Sequence, residues 1–197
     1  MADNYRGRRP NSPNDVVVTC DGAVCFTDPL YAIFTDYEGH KGESETGTRN
    51  VYRLDPQSSE LFVVVDDFDM SNGLAFSKDE KTLYVADSGR SHGQDKPHHI
   101  RKFSVGGRGK LTSQGLLADI DRAIPNGIRL DIDENVWVCA GDGVHCDAAM
   151  GELLGKIVVP EPVANICFCG PKFNRLFITA SSSLYNVYLN TRAVGLK

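Results

Sequence analysis

SNGLAFSKDEKTLYVADSG, residues 71–89, decides how this chain is read. An asparagine stands at its start and a short apolar run follows. Then come a charged turn and a second run rich in Leu, Tyr and Val. Two apolar runs around a polar turn read as a β-hairpin, because no helical periodicity carries through the turn. Three other segments repeat the pattern: PNDVVVTCDGAVCFTDP (13–29), PNGIRLDIDENVWVCAGDG (125–143) and ANICFCGPKFNRLFITASS (164–182). The copies open at Asn14, Asn72, Asn126 and Asn165, at spacings of 58, 54 and 39 residues. Between them lie the strand-like pieces NVYRLD (50–55), LFVVVDD (61–67), HIRKFSV (99–105) and ELLGKIVV (152–159). Repeats of about 40–50 residues with four strands each are propeller blades. The expectation is an all-β chain, a single partial β-propeller domain over 1–197, with blades starting near those four asparagines. The last blade is expected to be incomplete, since only NTRAVGLK follows SLYNVYL (183–189).

The first strand of a propeller blade lines the central tunnel, so the asparagines should meet at one mouth. A hairpin returns both of its ends to one edge, which places Asn14 near Asp28 and Asn72 near Asp87. The loops 29–49 and 88–98 open on the same face and are long enough to act as lids or binding loops. Asparagine is also a common turn residue, and aspartate a common turn cap. Repetition favours a role at the tunnel for Asn14 and Asn72, while the bland reading stays in force for Asn165.

Composition narrows the function. The chain has 197 residues, 41% hydrophobic and 24% charged, with a net charge of −5. Lys and Arg are scattered, which argues against nucleic acid and against a membrane surface. No apolar run approaches the roughly 20 residues that cross a bilayer. MADNYRGRRP lacks the apolar core of a secretory signal, and the cytoplasm is the expected location. The six cysteines lie mostly in strand-like runs and are expected to be reduced and structural. Cys167 and Cys169 form a CxC without a histidine cluster, and Cys20 and Cys25 flank a turn across which they could face each other. GGRGK (106–110) lacks the spacing of a phosphate loop and reads as a hairpin turn. His92, His98 and His99 read as solvated loop residues, and Trp137 as packing.

Four stretches together resemble the family of senescence marker protein, gluconolactonase and luciferin-regenerating enzyme: RRPNSPNDVVVTCDGAVCFTDPLY, DMSNGLAFSKDEKTLYVADSG, IPNGIRLDIDENVWVCAGDGV and VPEPVANICFCGPKFNRLFITASSSLY. The resemblance runs from about Arg9 to Leu189. It implies a β-propeller of the six-bladed type, here an incomplete arc of about four blades lacking roughly the first third of a family member. It also implies a divalent cation at the tunnel mouth, calcium first, with zinc or manganese as alternatives. A small-molecule lactone, typically a sugar lactone, is the implied substrate. Carried over position by position, the family's metal ligands fall on Asn14, Asn72 and Asn126. Asn14 and Arg9 fall where relatives contact substrate. Asn126 departs from the pattern, because much of the family has there an aspartate that also serves as the proposed base or nucleophile. A glutamate ligand near the family's N-terminus has no counterpart in this sequence.

Calcium takes 6–8 oxygen ligands, amide carbonyls included. In a lactonase it would polarise the ester carbonyl while a carboxylate activates water. The candidates for that chemistry are Asp15, Asp87 and Asn126, with Asp28 and Asp142 on the same face. Against the lactonase stand a binding or regulatory propeller with a decayed site, and an esterase or phosphotriesterase on the same scaffold. Open edge strands at both ends are also expected.

Overall fold

The computed structural model describes residues 2–194; Met1 and the last three residues of NTRAVGLK lie outside them. Four antiparallel sheets follow one another in chain order, and the strands within each sheet do the same. Blade I holds β1 (Val16–Val18), β2 (Val24–Thr27), β3 (Val51–Leu54) and β4 (Leu61–Val65). Blade II holds β5 (Ser71–Phe76), β6 (Thr82–Asp87), β7 (His99–Val105) and β8 (Leu111–Asp119). Blade III holds β9 (Ile128–Leu130), β10 (Val136–Ala140), β11 (Gly143–Asp147) and β12 (Leu153–Val158). Blade IV holds three strands, β13 (Val163–Cys169), β14 (Arg175–Ala180) and β15 (Leu184–Tyr188). The only α-helix among the described residues is the single turn α1 (Tyr31–Phe34). The expected all-β arc of about four blades is what the chain forms.

Blades stack face to face, and the side-chain alternation of each strand sends residues to both neighbours. In β10 all five residues are buried. Val136, Val138 and Ala140 pack with Ile100 and Tyr84 of blade II. Trp137 and Cys139 pack with Ile166, Phe168 and Leu176 of blade IV. That double burial explains why VWVCA carries no polar position. A third cluster joins Cys25, Val51 and Val65 of blade I to Leu74, Leu83 and Phe103 of blade II. The outward faces are less covered: Val16 and Val18 on blade I, and Leu184 and Tyr188 on blade IV, are all more than half exposed.

Two local readings change. The β1–β2 register sets Cys25 opposite Val17 and Val18 opposite Val24. Cys20 therefore stays in the turn and does not face Cys25. His99 begins β7 opposite Asp119, with its ring 3.9 Å from the Asp119 carboxylate. His98 is hydrogen-bonded at 2.7 Å to the Ile120 carbonyl. Neither is a freely solvated loop histidine.

The asparagine of the fourth repeat is offset by one residue from those of the first and third. The Asn14 N–H donates to the Thr27 carbonyl, and the Thr27 N–H donates back to Asp15. Asn126, Cys139 and Gly127 repeat this exchange in blade III. In blade IV, Asn165 stands opposite Thr179, and its N–H donates to the Thr179 hydroxyl. The Asp15 N–H donates in the same way to the Thr27 hydroxyl. Asn165 is thus the counterpart of Asp15, and Ala164 stands where blades I and III keep Asn14 and Asn126. A one-residue bulge between Val163 and Asn165 hides the shift.

Candidate functional site at the tunnel mouth

Asn72 lies inside β5, at a bulge between Ser71 and Leu74. It is 3% exposed. Its amide nitrogen donates to Ser88 Oγ at 3.1 Å, and the Ser88 hydroxyl donates to the Pro125 carbonyl at 2.5 Å. Asn72 Oδ1 is buried without a hydrogen-bond partner. A buried amide oxygen with no donor is costly unless something else satisfies it. With Nδ2 committed to Ser88, the lone pairs of Oδ1 are what the residue has left to offer.

The glycine after each of two asparagines answers to space rather than to a turn. A Cβ on Gly73 would lie 2.2 Å from the Asn126 carbonyl oxygen, and one on Gly127 would lie 2.4 Å from Asn165 Oδ1. Blades II and III therefore meet backbone to backbone at their inner ends, while Gly127 of blade III packs under the Asn165 side chain and donates its N–H to the Ala164 carbonyl of blade IV. The same position in blade I carries Asp15, whose Oδ2 accepts the N–H of Leu74 in blade II at 3.2 Å. Arg129 of blade III stands 3.7 Å from that oxygen. The Asn14 and Asn126 side chains have no hydrogen-bond partner among the described residues; Asn14 is exposed and Asn126 partly so.

Of the other candidate carboxylates, Asp28 and Asp87 hold backbone and Asp142 pairs with side chains. Asp28 is fully buried and accepts the N–H groups of Asn11 and Ser12 at 3.0 and 2.8 Å. Burial pushes its carboxyl up to about 6, against the lowering by those two N–H groups. Asp87 accepts the N–H groups of Asp69, Met70 and Gly89. In both blades the carboxylate at the end of the second strand ties down the segment that leads into the first. Asp142 is 2.7 Å from His145 Nε2 and 3.2 Å from Lys156 Nζ. Burial opposes its charge, but these two partners outweigh it and lower its carboxyl. Arg9 is exposed and pairs with Glu45 of the 29–49 loop through its side chain at 3.5 Å and its N–H at 2.8 Å.

The two long loops meet above this mouth. Tyr31 of α1 brings its hydroxyl to 3.4 Å from Ser91 Oγ. The His92 ring lies 5.7 Å from Tyr31 and meets Phe34 edge-on at 4.5 Å. Burial raises the Tyr31 phenol above its ordinary value, opposed by Ser91, Ser88 and Asn72. Tyr31 lies outside the repeat copies, and nothing in the pattern singles out Ser88 at the end of the second copy. His92 is held in this cluster rather than solvated.

Among the described residues no group of three or more His, Cys, Asp or Glu is placed to hold a metal ion. The donors that fit a hard cation are amides, and the orphaned Oδ1 of Asn72 is the best of them.

The model of the SMP-30/gluconolactonase/LRE-like region matches residues 1–182. The chain belongs to that family. A gluconolactonase from Zymomonas mobilis is 34% identical over 97% of this chain and 54% of its own length. A gluconolactonase structure from Xanthomonas campestris aligns with a TM-score of 0.87 at 34% identity, covering 95% of this chain and 60% of that one. A regucalcin from Agrobacterium tumefaciens, described as a calcium-binding protein, shares the fold at 20% identity with a TM-score of 0.66, over 86% of this chain and 53% of that one. The chain thus spans about half to three fifths of the length of these relatives.

Proposed function

We propose that this chain supplies four blades of a lactone-hydrolysing site, of the gluconolactonase kind, whose substrate is a small-molecule lactone. The observation that carries the reading is Asn72 Oδ1, buried, unpartnered and fixed in orientation by Ser88. The gluconolactonase relatives supply the reaction class. Asn14, Asn72 and Asn126 would hold a divalent cation, calcium first. Such an ion, when bound, polarises the ester carbonyl.

Asp15 takes the role of general base. It alone of the four candidate carboxylates sits among the inner strands, beside Arg129. It removes a proton from the attacking water as the new C–O bond forms, and returns that proton to the ring oxygen as the lactone C–O bond breaks. Asp87 positions the entry to β5 by accepting the N–H groups of Asp69 and Met70 and supports Asn72 indirectly. Arg9 and Asn14 contact substrate from the rim.

The chain is tested with calcium, manganese or zinc added, following gluconolactone opening by acid release. Activity lost on chelation and in Asn72→Ala supports the proposal. Tight metal-independent ligand binding without turnover sinks it. One observation favours that second reading: Asn126 brings no charge to the mouth, so a binding propeller with a decayed site is the rival.

A further inference from the structure

The aromatic clasp over the mouth is more ordered than a free lid. Asn11 pins the return of the 29–49 loop: its Nδ2 donates to the carbonyls of Asp28 and Thr48, and its Oδ1 accepts from the Ser44 hydroxyl. Within the loop, the Gly42 N–H donates to the Ile33 carbonyl. On the blade II side, the Ser91 hydroxyl donates to the Ser88 carbonyl at 2.8 Å and lies 2.7 Å from His92 Nδ1. Both halves of the clasp are therefore fixed to their own blades before they meet.

One group in it is underused. The Ser91 hydroxyl proton is committed to Ser88, so Tyr31 can only donate to Ser91, and does so across a long 3.4 Å. A tyrosine hydroxyl is both donor and acceptor. This one is partly exposed, and its partner Ser91 is bonded in turn to Ser88, whose hydroxyl holds the Asn72 amide. Tyr31 thus brings a hydroxyl with one long hydrogen bond beside the Ser88–Asn72 pair, with the His92 ring 5.7 Å from its own and Phe34 against His92.

We infer that Tyr31 is a specificity-determining residue: its hydroxyl bonds a ring hydroxyl of the bound lactone, so that a hydroxylated ring is held in preference to a bare one. The inference rests on the lactone reading above. A site built to bond a hydroxyl discriminates against the analogue that lacks it, because its polar group is then left unpaired.

The test uses the full chain with calcium and two non-hydrolysable rings, glucono-1,5-lactam and the unsubstituted piperidin-2-one, with binding followed by ligand-observed NMR. Tyr31→Phe is expected to weaken the hydroxylated lactam about tenfold or more and to leave piperidin-2-one within about twofold. Ser91→Ala is expected to move the same ratio in the same direction by less. Equal weakening of both rings marks Tyr31 as structural and overturns the inference, as does an unchanged ratio, or a native chain that binds neither ring. Turnover of gluconolactone is read separately. Selective loss in Tyr31→Phe without turnover in the native chain sinks only the lactonase reading. Turnover with an unmoved ratio sinks only the role of Tyr31.

Discussion

Ser88 Oγ accepts the Asn72 amide N–H and donates to the Pro125 carbonyl, linking the second strand of blade II to the entry of blade III. This one hydroxyl does two things at once. It fixes the orientation of the Asn72 amide, and it holds the residue that precedes Asn126. Two candidate ligands on different blades thus share one anchor, which is fully buried.

Ser88→Ala leaves an amide N–H and a carbonyl without their buried partner. A loss of about 2–3 kcal/mol of unfolding free energy is expected in denaturant titration. Calcium binding, measured calorimetrically, is expected to weaken about tenfold, because Asn72 is then free to turn its Oδ1 away. Unchanged calcium affinity would show that Ser88 does not set the orientation of the amide.

Gly73→Ala forces a Cβ against the Asn126 carbonyl, a backbone atom that cannot swing away. Overpacking of this kind costs about 1–3 kcal/mol. Gly155 in β12, with nothing within 4 Å of an added Cβ, is the control. Gly155→Ala should be neutral or slightly stabilising. If the two variants melt together, the inner strands are not in the contact described.

The blades were legible because double burial leaves hairpins such as β5–β6 and β9–β10 as two apolar runs around a charged turn. Strand β8 was not, since Thr, Ser, Gln and Gly interrupt the leucines of LTSQGLLAD, which is mostly exposed at the outer edge. The one-residue shift of Asn165 was hidden by its bulge, which leaves the sequence pattern intact while moving the side chain one position along the wall. Ser88 looked like part of a loop, since nothing local in VADSG says that its partners are Asn72 and Pro125. The contact of Tyr31 with Ser91 joins residues 60 apart on different blades, beyond the reach of any local pattern.

Asp28 predicts a pH signature. Burial raises its carboxyl from 3.8 to about 6 in the folded chain, so between these values the folded state binds the extra proton. Stability contributed by this group is present below about pH 4 and is lost as pH rises through 6. The shift corresponds to a contribution on the order of 3 kcal/mol. Asp28→Asn removes this pH term, although its amide can accept only one of the two N–H groups from Asn11 and Ser12. The difference in unfolding free energy between native chain and variant is therefore expected to fall as pH rises from 4 to 6, and then to level off. A difference that is flat or rising across that window would contradict a raised Asp28 carboxyl.

Asn126→Asp asks whether charge is what the mouth lacks. The side chain has no hydrogen bond to lose, and its N–H bond to the Cys139 carbonyl at 3.0 Å belongs to the backbone. The exchange preserves shape and adds one negative charge among neutral amides, with Asp15 as the neighbouring carboxylate and Arg129 beside it. Without a cation, the added charge should lower stability slightly. With calcium, ligand charge count raises affinity, and a cation that binds only the folded state raises the melting temperature in proportion to the logarithm of its concentration over Kd. A calcium-dependent rise in melting temperature larger than that of the native chain is expected, together with about tenfold tighter binding by calorimetry. If calcium neither binds Asn126→Asp more tightly nor shifts its melting, then Asn126 does not face the cation. The metal reading would then rest on Asn14 and Asn72 alone, two neutral donors too few and too weak to hold a hard ion at this mouth.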